Sequence, residues 1–161
     1  MVEWSSPLGL AAVLFALAGL FHVFIGVATP LSIRQGWVPS ILIYNEEADR
    51  VIFGKPPQEL RQHADVMKLR EITLGMVSGL LVGVGSLEVA LVWYGVRAGA
   101  AWSVGALAGA EVLMVVFWGF GHRLWIEAGL PGGLGALQPF QWVPLALSLP
   151  ATALAWLGLR G

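Results

Sequence analysis

Four runs of about twenty apolar residues follow one another in this chain, and a run of that length has few places to go. Hydrocarbon offers no partner to a backbone N–H or C=O, so each run must close its own hydrogen bonds as a helix crossing the bilayer. We place the spans at about 8–29, 72–95, 100–121 and 139–158. Composition agrees. Only 12% of the 161 residues are charged, against about 25% in a soluble domain, so half of the usual solvated surface is missing. The expected fold is an all-α integral membrane four-helix bundle, one membrane domain over 1–161. A long cytoplasmic loop and helix, 30–71, lies between spans 1 and 2.

Local residues set the expected boundaries. The first span starts after Pro7 and stops at Thr29-Pro30, and the second ends at Gly95. Val96-Arg97-Ala98-Gly99 is a tight connection to the third, which ends at Gly121-His122-Arg123. A glycine-rich loop, LPGGLGALQP, leads to the fourth, with Pro139 suited to a first helical turn. MVEWSSP carries no Lys or Arg ahead of its apolar run, so that run reads as a retained span.

Topology follows from the basic residues. Arg34, Arg50, Lys55, Arg61, Lys68 and Arg70 lie in the long loop and Arg123 in the third connection, while the other side has Arg97 and Arg160. The positive-inside rule then places the chain in the cell membrane with both termini outside and loop 30–71 in the cytoplasm. Trp4, Trp93, Trp102 and Trp156 fall at one boundary, and Trp37, Trp118, Trp125 and Trp142 near the other, as two aromatic belts. Within the loop, WVPSILIY (37–44) reads as an interfacial or re-entrant piece and NEEADRVIFGKPP as a polar turn region. From Pro57 a helix is expected to run unbroken into the second span. The loop caps the bundle; the sharper alternative is that it lids a pocket or docks a partner.

Against this apolar background three ionisable residues stand out. His22, Glu88 and Glu111 lie inside the spans, where each costs about 2.5–3.5 kcal/mol and marks a site hypothesis. At 1.5 Å per residue, and with every span starting at a common outer boundary, His22 lies about 21 Å deep, Glu111 about 17 Å and Glu88 about 10 Å. A direct or single-water contact between His22 and Glu111 is therefore expected. His22 shares its helical face with Phe15, Ala18, Gly19, Gly26 and Thr29, which suits burial against another helix. The glycine stripes Gly75-Gly79-Gly83 and Gly105-Gly109 lie roughly opposite the two glutamates and allow close helix approach within the bundle or between protomers.

A histidine and a carboxyl in contact can exchange a proton near neutral pH, which suits acid–base work on an apolar substrate or a proton relay. They can also hold a divalent metal with a second carboxylate, or simply neutralise each other and pin the bundle. We take His22, Glu88 and Glu111 as the candidate catalytic set, and Gln141 and Trp118, near the inner face, as candidate ligand contacts. His122 reads as interfacial and His63 as solvated. No metal site and no cofactor is assigned. The absence of cysteine excludes disulfides, thiolate metal sites and a cysteine nucleophile. There is no phosphate loop, HExxH or serine elbow. A net charge of −1 gives no reason to propose nucleic acid.

With its four-span layout, LAGLFHVFIG in span one and KLREITLGM leading into span two, the chain resembles the small bacterial DoxX-like membrane proteins. The 30–71 loop departs from their pattern. Some members of that group resemble subunits of quinone-linked oxidoreductases. The expected function is binding of a hydrophobic ligand, a quinone or lipid, near mid-membrane, with membrane lipids and a homo-oligomer or larger membrane complex as partners. The alternatives are an intramembrane lipid- or isoprenoid-modifying enzyme using a His–Glu acid–base pair, and a dimeric proton- or ion-coupled transporter.

Overall fold

The computed structural model describes residues 3–35, 46–132 and 138–160. Its elements are α1 (Pro7–Gln35), α2 (Glu46–Phe53), α3 (Pro57–Leu60), α4 (Ala64–Tyr94), a 3-10 turn at Val96–Ala98, α5 (Ala101–Glu127) and α6 (Pro139–Arg160). Four of these helices, α1, α4, α5 and α6, are long and apolar enough to cross a membrane. Among the described residues there is no strand. The segment 37–44 and the glycines at 133 and 135 lie outside the described residues.

The helices are longer than the apolar runs that define them. Helix α1 continues through Pro30 to Gln35, where the sequence suggested a stop at Thr29. Proline removes one donor from the helical ladder, and membrane helices tolerate it where neighbouring groups compensate. The Thr29 hydroxyl beside Pro30 donates to the Ile25 carbonyl at 2.7 Å, a bond separate from the one Pro30 removes at the Gly26 carbonyl. Helix α6 likewise contains both Pro144 and Pro150.

Between the first two spans the sequence reading needs two corrections. The supposed polar turn holds an amphipathic helix, α2, in which Ala48 and Asp49 are buried and Val51, Ile52 and Phe53 exposed. Gly54, at φ 63, ends it in the left-handed region, and its N–H bonds back to the Arg50 carbonyl. The helix from Pro57 does not run unbroken into the second span. It stops after Leu60, and His63 adopts an extended conformation (φ −85, ψ 101) before α4 begins. After Leu60, which is 2% exposed, the chain closes in turn bonds from Gln62 N–H to the Glu59 carbonyl and from His63 N–H to the Leu60 carbonyl. Asp49 then accepts from the Arg70 guanidinium, which ties α2 to the first turns of α4.

Helix α1 is the centre of the bundle, packing along α4 on one side and α6 on the other, whereas α5 stands loosely against its neighbours. The apolar core gathers Leu8, Ala11, Ala12 and Phe15 of α1 with Val92, Val96, Val104, Leu107, Ala151 and Ala155. Leu10, Leu17, Phe24, Leu80, Phe117 and Leu149, by contrast, face outward. Apolar side chains outside and ionisable ones inside invert the soluble pattern and suit a lipid surround. The glycine stripes also face outward: a Cβ added at Gly75, Gly79, Gly83, Gly105 or Gly109 would meet nothing within 4 Å. Close packing uses other glycines. A Cβ at Gly85 would lie 2.3 Å from the Gly19 carbonyl oxygen, so α1 and α4 touch backbone to backbone at that level. At the end where α1 begins and α6 finishes, the Arg97 guanidinium sits 4.0 Å from the Trp93 ring centroid and 4.8 Å from that of Trp4.

Candidate functional site

Close approach of α1 and α4 decides which polar groups meet. His22 Nδ1 lies 2.8 Å from Oε2 of Glu88, and the two residues are 2% and 5% exposed. The His22 face expected from periodicity is buried as a unit, with Phe15, Ala18 and Thr29 all at 2% or less. The expected direct bond between His22 and Glu111 is not formed. Glu111 instead accepts from the Ser148 hydroxyl of α6 at 2.7 Å.

The helices are shifted along their axes relative to the level arrangement expected from span lengths. That arrangement has all spans starting level, with the 96–99 connection at the surface. Val96 is in fact fully buried in the core with Leu8, Ala11, Ala12 and Phe15, and Gly19 lies against Gly85 and Gly26 against Ser78, so α4 ends well below the start of α1. Glu88 is correspondingly deeper and comes level with His22. Ser148 carried no comparable signal as a single polar residue. Its place on the buried α6 face with Pro144, Ala151 and Ala155, spaced four, three and four residues apart, is the pattern that would have shown it.

Two clefts flank α5. Between α4 and α5 lies an apolar cleft of about 370 Å³ walled by Leu80, Val84, Leu113 and Met114. His22 lines it, and among its lining residues only His22 and the indole of Trp118 carry a polar side-chain group. With Nδ1 held by Glu88, Nε2 is buried and has no partner among the described residues. Between α5 and α6 lies a groove of about 440 Å³ lined by Glu111, Ser148 and Thr152 among aliphatic side chains. The three ionisable residues therefore do not converge on one cavity. His22 and Glu111 line different clefts, and no direct bond joins them. Among the described residues no three His, Asp or Glu side chains are grouped to hold a metal.

A third pocket, of about 250 Å³, lies toward the loop end between α5 and the start of α6. It is lined by Trp118, His122, Trp125, Gln138, Phe140 and Gln141 among others. Trp118 and Phe140 belong both to this pocket and to the α4–α5 cleft, and their rings meet edge to face at 6.4 Å. Gln141 is partly committed: its side-chain oxygen accepts from the backbone N–H of Gln138 at 3.0 Å, as in a capping box at the start of α6. Trp118 is thus beside the His22 cleft, and Gln141 lines only the adjoining pocket.

Comparison of the chain with protein-family models, with curated proteins and with solved structures finds no match.

Proposed function

We propose that this is a four-span membrane protein that binds a quinone-like hydrophobic ligand from the bilayer in the cleft between α4 and α5. The observation that carries the reading is the Glu88-held His22 at the wall of an otherwise apolar cleft. Glu88 fixes the ring and its tautomer. With Nδ1–H donated to the carboxylate, a neutral ring presents Nε2 as an acceptor, suited to the hydroxyl of a quinol. Once protonated, the same nitrogen donates, suited to a quinone carbonyl. One buried pair thereby serves both redox forms of a ring while aliphatic walls take its chain. Outward-facing Leu80 and Leu113 at the cleft mouth are where such a ligand would enter from lipid.

Purified protein titrated with decylubiquinone is expected to bind it saturably. Ala110→Phe, at an exposed position lining the cleft, should abolish that binding without touching the His22–Glu88 pair. Unchanged binding by this variant would place the ligand elsewhere.

The orientation we propose has both termini outside and the α2–α3 segment in the cytoplasm, and it rests on the basic residues between α1 and α4. Because the chain lacks cysteine, single-cysteine labelling is clean. Ser5→Cys should react with an impermeant maleimide in intact cells, and Gln58→Cys only after permeabilisation. The reverse pattern would invert the topology.

A further inference from the structure

The polar pair that the quinone-like site does not use lies on the other side of α5. Glu111 is 9% exposed and Ser148 2%. The Ser148 hydroxyl donates to Oε1 of Glu111, while Oε2 is buried and has no partner among the described residues. Thr152 adds nothing to the carboxyl, because its hydroxyl donates to the Ser148 carbonyl at 2.9 Å. Glu111 and Ser148 line a groove whose other walls are mostly aliphatic, formed by Val112, Val115, Val116, Leu145 and Leu149. A carboxyl oxygen left without a donor in such surroundings is costly, so a compensating group is called for. Trp156 closes the groove toward the terminal end, and the apolar walls continue below the carboxyl toward the loop end.

We propose that the α5–α6 groove is a second ligand site, separate from the α4–α5 cleft, for a single-chain amphiphile whose head group donates a hydrogen bond. The head, an alcohol or an amine, donates to Oε2 of Glu111, and the chain lies along Val115, Val116 and Leu149. Ser148 positions the carboxyl by holding its other oxygen. As a carboxylate Glu111 can only accept at Oε2, so a donor head is specified over an acceptor head.

Native mass spectrometry of the detergent-solubilised protein, titrated with hexadecanol, hexadecylamine and hexadecyl methyl ether, tests this. The alcohol or the amine should bind saturably at one equivalent, and the ether, which has no donor, should bind about tenfold more weakly, the loss of one hydrogen bond to a carboxylate. Preference for the amine over the alcohol identifies a cationic head, and the reverse a hydroxyl. Glu111→Gln should weaken donor-head binding about tenfold. Ala153→Phe, at an exposed groove position away from the carboxyl, should block it while leaving decylubiquinone binding intact. Ala110→Phe should do the opposite, so failure of one site is told apart from failure of the other. Equal binding of ether and alcohol, unchanged binding by both groove variants, or a dimer that binds no alcohol because a second copy fills the groove would overturn the proposal.

Discussion

Replacing Glu88 by Leu is expected to destabilise the bundle by several kcal/mol, on the order of 3–5, because it removes one partner of a buried pair and strands the other. His22 would then have neither ring nitrogen satisfied, in a position 2% exposed and packed against α4. Glu88→Gln has nearly the same shape and keeps a hydrogen bond to Nδ1, so its cost should be nearer about 1 kcal/mol. Thermal unfolding of the two variants in detergent separates these outcomes, and equal melting temperatures would remove the energetic role assigned to the pair. Glu111→Leu gives a useful contrast. Its partner Ser148 is a hydroxyl within a helix and can turn to the carbonyl four residues back, at Pro144, so the loss should be about 1 kcal/mol.

Gly85→Ala should destabilise the α1–α4 contact by about 1–3 kcal/mol from overpacking. The added methyl would stand 2.3 Å from the Gly19 carbonyl oxygen and 3.0 Å from Cβ of His22. Backbone on one side leaves no flexible side chain to give way, so α1 and α4 must separate and the His22–Glu88 bond must lengthen. Gly79→Ala, on the outward stripe of the same helix, meets nothing within 4 Å and should leave stability unchanged or slightly raised. Measured melting temperatures for the pair check the assignment. A larger loss at Gly79 than at Gly85 would mean that the outward stripe, and not the α1–α4 contact, carries the packing that matters.

This contrast shows how small-residue patterns mislead in one dimension. The regular stripes Gly75-Gly79-Gly83 and Gly105-Gly109 attract attention by their spacing, yet the closest backbone contact uses Gly19 and Gly85, which belong to no repeat. Spacing along one helix records which residues share a face. It does not record what that face meets.

The loop region teaches a related lesson. Asp49, Arg50 and Lys55 made the segment after Asn45 look like a turn, because polar residues at a helix surface and in a loop are alike by composition. Helix α2 forms because Ala48 and Asp49 find cover, Asp49 against Arg70 from the start of α4, a partner 21 residues away. Leu60 is buried as well, and the helix that local propensity would have continued gives way after it to a turn and the extended His63.

What the sequence determined by itself is whatever depends on one segment and its solvent. Four helices of membrane-crossing length, the inward face of α1 around His22, and the burial of Glu88 and Glu111 all follow from the cost of exposing backbone or charge to hydrocarbon. The partner of each ionisable group was decided only by the tertiary structure. Three groups of similar cost at mid-bundle can be paired in more than one way, and the choice turns on the relative axial shift of the helices. That shift is set by the buried Val96 turn and by the contact of Gly19 with Gly85. Together they bring Glu88 to His22, leave Glu111 to Ser148, and separate two clefts that the sequence had merged into one site.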